Sequence, residues 1–157
     1  MKDSSLIARK IVPIRHVICA SPDYLRRRGW PKLPEDLREH ATLRYSYADD
    51  CWEFTESDAL SPPSNFRCNN GDTLREAAIA GGGLAYLPAF IVHEAVADGR
   101  LEVCLSGFER EPIALYAVYP TTRHLSAKIR VFIDFLIEKF GTEPFWDKII
   151  SAKGTRR

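Results

Sequence analysis

The chain has 157 residues, 45% hydrophobic and 27% charged, with a net charge of +1. That is one ordinary domain, globular in composition and long enough to bury roughly two-thirds of its unfolded surface. The near-neutral balance argues against direct DNA binding by these residues, which needs a basic excess on one face, and no run approaches the ~20 apolar residues of a membrane span.

Along the chain, Ile14, Val17, Ile18 and Cys19 suggest an extended strand entering a core. Ser21-Pro22-Asp23 then opens a helix: Ser21 is a good N-cap, Pro22 suits the first helical position and Asp23 complements the dipole. Gly29 ends this helix, and Pro34-Glu35-Asp36-Leu37 starts a second short one. Thr42 to Tyr47 is strand-like, with Leu43 and Tyr45 on one face; Asp49-Asp50 is a turn and Trp52-Glu53-Phe54 a further short strand. Ser57 to Ser64 is polar, contains Pro62-Pro63 and reads as a loop.

The most informative stretch runs from Asn69 to Pro88. It reads as a capped helix over about Asp72 to Ala80, a glycine turn at Gly81-Gly82-Gly83 and a short buried parallel strand, Leu84 to Leu87. Pro88 opens a helix over Ala89 to Ala97, closed by Asp98-Gly99. Leu101-Glu102-Val103 and Ile113 to Tyr119 are strands, and Pro120 breaks the second. Leu125 to Phe140 forms a last helix, with Leu125, Ile129, Phe132, Ile133, Leu136 and Phe140 making a wide apolar stripe that needs a partner surface. Phe145 and Trp146 start a final short turn, and Ser151 to Arg157 is a polar, frayed tail. Alternating strands and helices indicate an α/β layer.

Several motifs come in a characteristic order. They are Cys19-Ala20-Ser21-Pro22-Asp23-Tyr24-Leu25, Pro34-Glu35-Asp36-Leu37, Leu43-Arg44-Tyr45, Trp52-Glu53-Phe54 and Asn69 to Pro88. Tyr116-Ala117-Val118-Tyr119-Pro120, Arg123-His124-Leu125 and Lys128 to Leu136 complete the series. Each is weak alone. Together, over residues 4–141, they resemble the effector-binding domain of LysR-type transcriptional regulators.

The resemblance implies one lobe of a type 2 periplasmic-binding-protein-like effector domain, with crossover strands and a C-terminal helix. Residues near Ile11 to Ala20 look like the first crossover, 21–112 like the second lobe and Leu115 to Pro120 like the return crossover. The helix over 125–140 looks like one belonging to the first lobe, and 142–157 is a tail. The family's winged helix-turn-helix, linker helix and most of the first lobe are missing from this sequence, so it looks like a C-terminal fragment. DNA binding is implied only through a domain absent from this chain. A small-molecule effector, anionic or aromatic, is the implied ligand. A homodimer or other oligomer is expected, because the last helix's stripe lacks part of its cover. Met1 to Pro13 holds no apolar run of signal-peptide length, so a cytoplasmic location is the default. A solute-binding protein without regulatory role and an inactive remnant remain alternatives.

The expected effector-binding residues are Arg44, Tyr45, Ser46, Asn70 and Asp72. Arg44 ends a candidate strand, where α/β sheets present ligand groups, and its guanidinium suits a carboxylate; Tyr45 and Ser46 add hydrogen-bonding hydroxyls. Asn70 and Asp72 lie at a helix start, where unpaired N–H groups favour anions, although plain capping explains them equally. Gly81-Gly82-Gly83 lacks the Lys-Ser/Thr of a phosphate loop and follows a helix, so a C-cap and tight turn is the better reading. Trp52 suits either core or pocket wall, and Arg26-Arg27-Arg28 a solvated helix end.

The sequence suggests no catalytic group, metal or cofactor. Cys19, Cys51, Cys68 and Cys104 form no CxxC pair and read as reduced thiols. On a strand, His16 and Cys19 would face opposite sides, which is poor for a shared metal. A hydrolase using Cys or Ser with His lacks any recognisable orienting group or oxyanion hole.

Overall fold

The computed structural model describes residues 6–46, 52–55, 57–121 and 126–153. The expected turn at Asp49-Asp50, with Tyr47, Cys51, His124 and Leu125, lies outside them. The chain forms two compact units, one of residues 1–14 and 112–145, the other of 15–111 and 146–157.

The first unit holds an antiparallel ribbon of β1 (Leu6–Ile14) and β9 (Ile113–Pro120), with Leu6 opposite Pro120 and Ile14 opposite Ile113. Helix α4 (Ala127–Phe140) packs on β1. Arg9 pairs with Asp134 at 2.7 Å, and Ile133 is buried. Gly141, at φ +66°, ends α4 where its N–H donates to the Ile137 carbonyl at 2.9 Å. The expected stripe is only partly covered: Ile129 and Phe132 are exposed, and Val131 and Phe135 continue an apolar surface with Phe132.

The second unit is built on a five-stranded sheet in which, from one edge to the other, residues 64–68, 42–45, 84–88, 16–20 and 102–104 lie side by side. The strands are β2 (His16–Ala20), β3 (Thr42–Tyr45), β6 (Ser64–Cys68), β7 (Leu84–Pro88) and β8 (Glu102–Cys104). β6, β3 and β7 run parallel; β2 is antiparallel to β7 and β8. Leu84, Ala85 and Leu87 are fully buried, as expected of a central parallel strand.

Helix α1 (Pro22–Arg28) begins where Ser21 Oγ accepts from the Tyr24 N–H at 3.3 Å and ends at Gly29, φ +86°. Pro34–Glu39 is a 3₁₀ turn. The buried Tyr24 hydroxyl stands 3.1 Å from His40 Nδ1 and accepts from the Ala41 N–H at 3.0 Å, tying α1 to the start of β3.

Helices α2 (Gly71–Ile79) and α3 (Ala89–Ala97) cover one face of the sheet. On the other face Ile18, Leu25, Leu37, Leu84 and Leu105 form a core with Trp52.

Besides β1 and β6, which the sequence pattern did not mark as separate strands, two elements differ from expectation. Ser57–Leu60, read as loop from its polar composition, is strand β5, paired with β4 (Trp52–Phe54) so that Leu60 lies opposite Trp52. Residues 145–153, read as a short turn and tail, form α5 (Phe145–Lys153). Its Trp146 and Ile150 are buried, and Trp146 meets Phe90 of α3 edge-on at 6.1 Å.

Candidate functional site

In an open α/β sheet, ligands gather at the carboxyl ends of the strands. Here that edge is formed by Tyr45 at the end of β3, Ser46 just after it, Cys68 at the end of β6 and Pro88 at the end of β7. β2 runs the other way, so its first residue, His16, opposite Pro88, joins the same edge. Tyr45 is opposite Cys68, and the Ser46 N–H donates to the Cys68 carbonyl at 2.9 Å, carrying the parallel ladder one residue past the strands.

Helix α2 starts at this edge. Asn70 Oδ1 accepts from the Thr73 N–H at 3.0 Å, and the Leu74 N–H donates to the Asn70 carbonyl at 3.2 Å. Gly71 opens the helix where a Cβ would collide with the Tyr45 hydroxyl and Ile91 Cδ1. Lack of a side chain at Gly71 therefore lets the half-buried Tyr45 lay its hydroxyl against the helix start. Asp72, largely exposed, pairs with Arg75 at 2.9 Å. Arg75 also donates to the Ile91 carbonyl at 3.3 Å and to Glu76. Asp72 thus compensates the helix dipole and is held by a neighbouring cation.

Four of the five expected residues, Tyr45, Ser46, Asn70 and Asp72, therefore meet at one place. Arg44 does not join them directly. Side chains alternate along a strand: Leu43 and Tyr45 face α2, whereas Arg44 faces the other side. There it is buried, with its guanidinium carbon 5.7 Å from the Trp52 ring centroid. Such a cation over an indole face is favourable, the more so when desolvated. Trp52, buried as the core reading expected, lies 5.5 Å from Tyr86, which in turn lies 5.3 Å from His16. A row of Arg44, Trp52, Tyr86 and His16 thus crosses three neighbouring strands and the β4–β5 hairpin to the carboxyl edge. Burial pushes the Tyr86 phenol up from its ordinary value, so it remains a neutral donor.

Tyr86 and His16 were not among the expected site residues. Alternation from Leu84 places Tyr86 on the Trp52 face, but only the register between β2 and β7 brings His16 beside it.

The glycine run behaves as expected of a helix end. Gly81 takes φ +81°, and Gly83 takes φ +152° against Ala41. The basic cluster of α1 is engaged locally: Arg26 pairs with Asp23, and Arg27 donates to the Gly81 carbonyl at 3.4 Å. Burial raises the Cys19 thiol to about 12 and the Cys104 thiol also upward, so both stay protonated. Cys19 Sγ lies 3.8 Å from the Ala85 carbonyl, to which it donates. Among the described residues, no helix is long and apolar enough to cross a membrane.

A cavity of about 100 Å³ lies beside Trp30, Leu101, Glu102 and Lys153. It adjoins the opposite end of the sheet, where β2 finishes against β8, and is small beside the ~300–1,000 Å³ usual for ligand pockets.

Residues 2–141 match the family model described as the LysR substrate binding domain. The HTH-type transcriptional activator AaeR of Escherichia coli (strain K12) is 33% identical over 145 residues, covering 89% of this chain and 47% of that protein. The HTH-type transcriptional regulator CrgA of Neisseria meningitidis (serogroup C) is 31% identical over 146 residues, covering 90% and 49%. Among solved structures, the CrgA regulatory domain superposes with a TM-score of 0.77 at 29% identity, covering 90% of this chain and 72% of that one. The full-length Vibrio cholerae virulence activator AphB gives 0.77 at 33% identity, covering 88% and 49%. The chain spans about half the length of the curated relatives it matches.

Proposed function

The chain belongs to the LysR substrate-binding domain family, and on that premise we propose that it is the effector-sensing part of a DNA-binding transcriptional regulator. DNA contact would be made by a helix-turn-helix domain outside these residues, which places the working protein in the cytoplasm. Residues 21–112 would be the second lobe of a two-lobed sensor, and α4 would belong to the first. The reaction class is binding, not catalysis. A small organic effector, anionic or aromatic, would bind in an interlobe cleft of the complete sensor and shift the equilibrium between lobe or subunit arrangements.

One observation carries this reading: Tyr45, Ser46 and the capped start of α2 converge on the carboxyl edge of the parallel strands. Two hydroxyls and a helix start can receive a carboxylate. Asp72, held by Arg75, disfavours a second negative charge beside it and so limits how closely an anion approaches that side. Arg44 would act from behind β3, drawing an anion by its buried charge while bracing Trp52.

Isothermal titration of a full-length form with a carboxylate effector tests the charge. Loss of the positive charge buried behind β3 predicts roughly tenfold weaker binding for Arg44→Ala through the field it exerts, with no direct contact, provided the melting curve shows a folded protein. Unchanged affinity in the folded variant would remove Arg44 from the site.

We also propose that the first unit is covered in the working protein. Leu6, Ile113, Tyr116 and Val118 of the ribbon and Val131, Phe132 and Phe135 of α4 are 50–66% exposed. Single soluble domains rarely expose contiguous apolar patches beyond a few hundred Å². For the chain alone, a second copy is the available cover. Size-exclusion chromatography with light scattering should therefore report a dimer or larger species. A strict monomer with α4 well ordered would contradict this.

A further inference from the structure

The backbone crosses between the two compact units three times, at 14/15, 111/112 and 145/146. Within the second unit, a residue of the first passage bonds through its side chain to the segments next to the other two. Arg15 is the first residue after the first crossing. Its Nη2 donates to Glu109 Oε1 at 2.7 Å, two residues before the unit's end at Glu111. Its Nη1 donates to Ser151 Oγ of α5 at 3.3 Å, beyond the third crossing. Its own carbonyl accepts from the Ala89 N–H at 2.8 Å, anchoring it to the start of α3.

Glu109 extends the connection. Its other carboxylate oxygen accepts from the Gly107 N–H at 2.7 Å, and its carbonyl accepts from Thr55 Oγ1 at 2.8 Å. The Arg15 and Glu109 side chains are only 24% and 14% exposed, so solvent screens this pair less than a surface pair. A guanidinium serves well here, because its planar fork can address two acceptors at once, which an ammonium point charge cannot fix in direction.

We propose that Arg15 is a three-way fastener that holds both connecting segments and the last helix on the second unit, so that the three passages loosen together. The device stands apart from effector sensing, since its contacts need no ligand. Displacement of any one passage would have to carry the others or break the charge-assisted bonds at Arg15.

Hydrogen exchange followed by mass spectrometry on the intact chain tests this. In Arg15→Met, amide exchange should accelerate roughly 10- to 100-fold in both 105–111 and 146–153, while α2 and β7 keep their protection. In Ser151→Ala, which removes only the helix arm, acceleration should be confined to 146–153. Arg15→Met loosening just one segment, neither segment, or the whole second unit evenly would overturn the proposal. So would a Ser151→Ala variant that loosens 105–111 as much as α5.

Discussion

Gly83→Ala is expected to destabilise the chain by about 3–5 kcal/mol, the sum of a strained backbone and an overpacked contact. Gly83 sits at φ +152°, where an L side chain is rarely found. Its missing Cβ would run into the Ala41 carbonyl, with the carbonyl carbon at 2.9 Å and Ala41 Cβ at 3.3 Å. That carbonyl cannot retreat freely, because it accepts from the Leu84 N–H at 2.9 Å, at the start of the β3–β7 ladder. Displacing it would pull apart two central parallel strands. Gly99→Ala is the control. It also has a positive φ, +75°, but open space around the added methyl, so only the backbone strain of about 1 kcal/mol should register. Urea unfolding of both variants separates crowding from strain. Equal losses would show that the contact with Ala41 is not what requires glycine.

Ile150→Ala should cost about 2–5 kcal/mol, the usual range for emptying a fully buried branched site. Ile150 is 0% exposed, and with Trp146 one turn before it docks α5 on the second unit. Lys148, exposed on the same helix, should change stability by no more than about 0.5 kcal/mol when replaced by alanine. Thermal or urea unfolding reads both. Were Ile150→Ala as mild as Lys148→Ala, α5 would be an ornament on the fold, not part of its core.

The second of these sites shows where sequence reasoning stopped. Trp146 and Ile150 stand four apart, a helical spacing, yet the element is short. It lies between Gly141-Thr142-Glu143-Pro144 and a polar end, so punctuation outweighed periodicity. β5 was hidden for a related reason: Ser57-Asp58-Ala59-Leu60 carries little β propensity, and only pairing with β4 makes it a strand. Where caps and breakers agree with the apolar pattern, the elements were legible. Ser21, Asn70 and Gly81 mark their helix ends in the sequence and in the structure alike.

The candidate site was legible in part, for the same physical reason. The Asn70 cap is local and could be read directly. Tyr45 meeting Gly71 depends on β3 and β6 running parallel side by side, which spacing alone does not reveal. Arg44 and Tyr45 are adjacent in sequence, but strand alternation sends them to opposite faces, so treating them as one cluster overlooked the pleat. The Trp52–Tyr86–His16 row joins residues from three distant segments through non-local register, which no single-sequence pattern encodes.

We propose that a ligand is sensed at the carboxyl edge of the parallel strands, beside the start of α2. Amide chemical-shift mapping of the labelled chain during titration with aromatic and aliphatic carboxylates, beginning with benzoate and succinate, tests it most directly. The largest saturable changes should fall at 44–46, 68–72 and Tyr86. Changes concentrated instead around Trp30, Leu101 and Lys153, or no saturable change with any carboxylate, would rule out carboxylate sensing at this edge.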